Sequence, residues 1–150
     1  MVYINQQFGV KADEKELKKT VRKAFKVLGI KEKDMEISIA IVDDSSIKKL
    51  NREYREKNQA TDVLSFAYGK DVRLRPLGLR RDEGGEIVIS YNKAKEQAKE
   101  YKHKIIDELK VLLVHGILHI AGYNHEKPAD KKKMLALECK ILGEGLCDRN

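Results

Sequence analysis

The segment IIDELKVLLVHGILHI, residues 105–120, carries apolar side chains around nearly its whole helical circumference. A helix of that kind offers no polar side to water and has to lie at the centre of a fold. Whatever architecture the chain adopts is therefore built around it. His115 and His119 stand four apart within the segment. At about 100° per residue they leave one face of the helix, one turn above the other. Two imidazoles so placed can converge on a single ion at about 2 Å.

Gly122 interrupts the helical pattern shortly after His119. Glycine readily takes the positive φ of a helix C-terminus, so the chain can turn there and return His125 towards the pair. The pattern H-x3-H-x5-H, with glycine three residues after the second histidine, matches the zinc-binding half of the metzincin motif. The match breaks at Gly116, where a zincin would carry its catalytic glutamate. Ligand geometry survives that change; the general base of a peptidase does not. A lone histidine on an apolar helix is ordinarily a core residue, but three at this spacing around a helix-breaking glycine are not. His115, His119 and His125 are expected to bind one divalent metal ion, zinc first. Three ligands leave a fourth tetrahedral position open, as catalytic zinc sites do; three histidines also accept nickel or copper. His103, between Lys102 and Lys104, is expected to be merely exposed.

Around this helix the pattern reads as β-α-β-α-β-β-α-α-α. Residues 2–8 suit a first strand. Asp13 with Glu16 resembles a capping box before a helix that Gly29 stops. Ile37, Ile39 and Ile41 alternate as strand residues do. A helix follows with Ile47, Leu50 and Tyr54 on one side, then strands at 61–68 and 86–90. Helices are expected at 92–101, 104–121 and 128–142, the last opened by Pro128. The expected fold is one α+β domain over 1–150, a small mixed sheet covered by helices. The first two β-α-β steps favour parallel neighbours with right-handed crossovers.

Lys and Arg outnumber Asp and Glu by 31 to 24, a net charge of +7. That balance suits a polyanionic partner such as RNA, and suits a plain basic protein equally well. Arg73, Arg75, Arg80 and Arg81 fall in a long connection at 69–85, the kind of segment that is often functional. No apolar run reaches the roughly 20 residues of a membrane span, and the start has no leader pattern. The two cysteines, Cys139 and Cys147, make neither a disulfide framework nor a CxxC metal knuckle. A cytoplasmic protein is expected.

Residues 115–125, HGILHIAGYNH, resemble the signature of the YbeY family of bacterial metal-dependent endoribonucleases. TDVLSF at 61–66 is similar to that family's central strand, and GEIVI at 85–89 to its GDI-type strand. Asn51, Tyr54 and Arg55 fall on the family's N-x-x-Y-R stretch. Two positions depart: Asn124 stands where aspartate is usual, and Ala67 where proline is common. The resemblance implies zinc on three histidines, ribosomal RNA and ribosomal subunits as partners, and a role in ribosomal RNA maturation and ribosome quality control. It also implies that Arg55 handles the RNA, although by pattern alone Arg55 reads as a solvated arginine. Arg55 is accordingly the candidate catalytic and substrate-binding residue, its guanidinium gripping a phosphate. The alternatives are a metallo-hydrolase on peptides or small molecules, and a non-catalytic ribosome-associated factor with a structural metal.

Overall fold

The computed structural model of the protein describes residues 2–6, 11–55, 61–68 and 84–147. Four strands form one sheet: β1 (Val2–Gln6), β2 (Glu36–Val42), β3 (Val63–Ala67) and β4 (Gly84–Ser90), in the order β1-β2-β4-β3. β1 and β4 both pair in parallel with β2, with Ile4 opposite Ile39 and Ile39 opposite Ile87. β3 runs antiparallel along the outer edge of β4, with Leu64 opposite Val88.

Helices α1 (Glu14–Leu28), α2 (Asp44–Arg55), α3 (Tyr91–Glu100), α4 (Ile105–Ile120), α5 (Pro128–Leu142) and the short α6 (Glu144–Cys147) complete the described elements. Their ends follow the expected chemistry. Asp13 Oδ1 accepts from the Glu16 amide at 3.2 Å to open α1, and Gly29 closes it at φ 71°. Asp43 Oδ1 accepts from the Ser46 amide at 2.8 Å in the first turn of α2.

Alternation along β2 and β4 sends their side chains to two unlike faces. Ile37, Ile39, Ile41, Ile87 and Ile89 meet α1, α3, α4 and α5 in the main core. Val88, with Leu64 and Phe66 of β3, meets Ile47 of α2 in a much smaller cluster. α4 lies inside the larger one: Leu109, Leu112, Leu113, Val114, Ile117 and Leu118 are all buried. Its apolar circumference is thus explained by sheet on one side and helices on the others. At about 25 cal/mol per Å² of apolar surface, this face carries most of the hydrophobic stabilisation.

Three expectations need correction. The second β-α-β step does not give parallel neighbours: β3 misses β2, pairs with β4 and points the other way. β3 and β4 are consecutive and pair as the arms of a hairpin, which prevails over the crossover from β2. His103 is not exposed: its side chain is 13% accessible and lies 3.6 Å from the fully buried Glu108 carboxylate. Finally, Cys139 and Cys147 form a disulfide across the joint between α5 and α6, with Cα atoms 4.9 Å apart. β4 also begins earlier than expected, at Gly84. The arginines at 73, 75, 80 and 81, and positions 7 and 8 of the first expected strand, lie outside the described residues.

Candidate metal centre

The last turns of α4 carry the site. Its end is a Schellman closure: the Tyr123 amide donates to Leu118 O at 2.9 Å and the Gly122 amide to His119 O at 3.0 Å. Gly122 takes φ 102°, a left-handed conformation that a side chain would strain. The chain doubles back there. Asn124 Oδ1 then accepts from the Glu126 amide at 3.1 Å, a local turn that an aspartate would make equally well. The departure from the family pattern at Asn124 therefore leaves this local turn around His125 intact.

The three histidines come together as expected. One ring nitrogen from each of His115, His119 and His125 lies within 4.8 Å of the others. Nε2 of His115 and Nε2 of His119 are 3.0 Å apart. Nitrogens in a tetrahedral zinc site with bonds of about 2.0 Å lie roughly 3.3 Å apart, so the donor set fits a small borderline-soft ion. The three rings meet edge to face or tilted, with centroids 4.6, 5.6 and 5.3 Å apart. His115 and His119 are partly buried and His125 is exposed, so the cluster opens towards solvent on one side.

Electrostatics favour the ligand form. Burial, then the neighbouring His115 and His125, hold the His119 imidazole below its ordinary range, with Glu138 opposing. A neutral imidazole is the form a metal takes.

Gly116 explains the missing zincin glutamate. A Cβ there would stand 2.9 Å from Ile87 Cγ2 and 3.1 Å from two further Ile87 carbons. α4 rests against β4 at this point, and a Cβ would fit only if the Ile87 side chain shifted. The position that is the base in a zincin is here a packing contact.

Sequence reasoning missed Glu138. It reaches across from α5, its Oε1 3.3 Å from His115 Nδ1. A signal was available: Met134, Glu138 and Ile141 follow helical spacing, and Met134 and Ile141 are buried. Glu138 is the carboxylate on the inward stripe of α5. Cys147 is tied to Cys139 and offers no thiolate to the cluster.

Arg55 is the last residue of α2, and its side chain lies outside the described residues. Its neighbour Tyr54 packs edge to face on Phe66 of β3, centroids 5.8 Å apart. The helix end is thus anchored to the sheet face opposite α4. On that face the Tyr68 phenol is pushed up to about 12, by burial first and then by Glu86 and Glu36. Burial also raises the Glu86 carboxyl above its ordinary range.

A mixed four-stranded sheet with an open three-histidine cluster at the end of its central helix defines an α+β protein with a candidate metal centre. The comparisons narrow this. The family model for endoribonuclease YbeY matches residues 2–145, and the chain belongs to that family. Endoribonuclease YbeY of Caldicellulosiruptor bescii is 40% identical over 146 residues, covering 92% of both chains. That of Oceanobacillus iheyensis is 44% identical over 117 residues, covering 74% of each. The Myxococcus xanthus relative is 46% identical over 114 residues, which span 73% of this chain and 36% of that longer protein. The solution structure of TM1509 from Thermotoga maritima aligns with a TM-score of 0.60 at 27% identity, covering 96% of this chain and 91% of that one. Among the described residues no helix is long and apolar enough to cross a membrane.

Proposed function

We propose that residues 1–150 form one endoribonuclease domain that cleaves phosphodiester bonds in single-stranded RNA. It acts in ribosomal RNA maturation and ribosome quality control, in the cytoplasm, on ribosomal RNA and ribosomal subunits. The observation that carries this reading is the convergence of His115, His119 and His125 at the open end of α4, in a chain of an endoribonuclease family.

His115, His119 and His125 hold one divalent ion, zinc first, and leave a coordination position free for substrate. When bound, such an ion supplies Lewis acidity at a phosphate oxygen. The chain's own groups do the rest. Burial and the neighbouring histidines lower the His119 pKa and so favour the form that ligates. Arg55 binds a phosphate through two of its donors and stabilises the charge that grows there in the transition state. The net charge of +7 draws a polyanion to the surface. Peptide hydrolysis by the zincin route is disfavoured because Gly116 is packed on Ile87 and supplies no base.

Metal content and cleavage of ribosomal RNA, measured on the same preparations, test this. The wild type should hold near-stoichiometric metal and cut RNA, and a His115→Ala, His119→Ala double variant should lose both. Arg55→Ala should keep its metal and lose roughly a hundredfold in cleavage rate, the scale of one transition-state donor. A wild type that binds metal but leaves RNA intact would sink the nuclease reading. One without metal would return the histidines to the core.

A further inference from the structure

His115 is held from both edges of its ring. Nε2 points into the histidine cluster, 3.0 Å from His119 Nε2, while Nδ1 faces Glu138 Oε1 at 3.3 Å. The carboxylate comes from a different helix, 23 residues along the chain. Its side chain is only 18% accessible, and it occupies an inward position of α5 between the buried Met134 and Ile141. A carboxylate is costly to bury without a partner, and placement on this stripe aims it at one imidazole. An exposed surface pair would show none of this.

Resting on the three-histidine metal reading, we infer that Glu138 is a positioning residue for the metal centre. It accepts the Nδ1 hydrogen of His115 and so reserves Nε2, as a bare lone pair, for the ion. The two ring nitrogens lie on opposite edges of the imidazole, so Glu138 orients the ligand without being one. A carboxylate behind a ligating histidine fixes the tautomer and raises the ligand's basicity. Its place on α5 also ties the helix that follows the His125 loop to the helix that carries the other two ligands. One contact therefore holds the site's two halves in register.

Zinc affinity, measured by competition with a chelator dye, and the 15N shifts of His115 in the metal-free protein test the inference. In the wild type, His115 should carry its hydrogen on Nδ1. Glu138→Ala should mix the two tautomers and weaken zinc binding about 10- to 100-fold. Glu138→Gln keeps an acceptor oxygen without the charge and should recover part of that loss. Glu138→Met, which fills similar space without that acceptor, should recover none; a merely space-filling role would predict recovery in both. Because the tautomer is read in metal-free protein, it reports on the contact even if a variant is less stable. Wild-type affinity in Glu138→Ala, or a hydrogen on Nε2 of wild-type His115, would overturn the inference and leave the metal reading standing. A wild type that binds no zinc would overturn both.

Discussion

The two faces of the sheet are built from the same strands and differ in almost everything else. On one, four helices close over Ile37, Ile39, Ile41, Ile87 and Ile89, and the histidine cluster sits at the end of the most buried helix. On the other, among the described residues, α2 meets Val88, Leu64 and Phe66, and Glu86 and Tyr68 lie beyond it. The difference teaches where precision is needed. Metal ligands have to stay within a fraction of an ångström of their geometry, and two of the three candidate ligands, His115 and His119, ride on the enclosed helix α4. α2, which Arg55 ends, rests on the smaller cluster. It is tied at its start, where the Asp44 amide donates to Asn92 Oδ1 and the Ser90 hydroxyl donates to Asp44 Oδ1.

Cavity substitutions should separate the faces. Ile117 and Ile47 are both fully buried, but Ile117 is enclosed by sheet and helices while Ile47 belongs to α2, which packs on the smaller cluster and can settle into the space. Ile117→Ala should cost about 4 kcal/mol and Ile47→Ala about 2 kcal/mol, from opposite ends of the usual range. Urea unfolding reads both. Ile117 stands in the chain between His115 and His119, so on the proposed metal reading its loss should also weaken zinc binding, whereas Ile47→Ala should leave binding unchanged. Equal costs, or weakened binding in both, would break the contrast.

A smaller effect is expected at the contact between α4 and the sheet. Gly116→Ala gains about 1 kcal/mol of helix propensity. It also drives a methyl to 2.9 Å from the buried Ile87, and overpacking costs about 1–3 kcal/mol. Ile87 is fully buried, so the net should be a loss of about 1 kcal/mol, near 3 °C in Tm for a chain this long. A more stable variant would mean that the sheet gives way easily there, and that Gly116 needs another explanation.

How much of this was readable beforehand follows from the range of the interactions. The ligand triad was legible because it is local: two histidines one turn apart, then a glycine that ends the helix and turns the chain. The central place of α4 was legible because no other location tolerates an apolar circumference. The place of β3 was not, since VLSFA alternates in the same way in either direction, and strand order depends on which partner wins. Nor was the Cys139–Cys147 link, which depends on Gly143 turning the chain between α5 and α6 at φ 90°. Glu138 marks the boundary. Its stripe was visible in sequence, but what the stripe faces depends on how α5 lies against α4.

The faces also differ in how they respond to protons, with opposite signs. Burial lowers His119 from its ordinary 6.5, so between that value and its folded one the unfolded chain binds more protons. Stability of metal-free protein is then full above pH 6.5 and falls as pH drops through the folded value. Glu86 is raised from 4.5 by burial. Its contribution is fully present below 4.5 and is lost as pH rises through the folded value. Urea midpoints in EDTA, compared between wild type and single variants, read each term separately. His119→Gln should remove part of the acid-side loss and match the wild type more closely at high pH. Glu86→Gln should be more stable than wild type at neutral pH, and that advantage should shrink as pH approaches 4.5. A Glu86→Gln advantage that is constant across the range would instead assign the gain to packing, and with it remove the charge contrast between the faces.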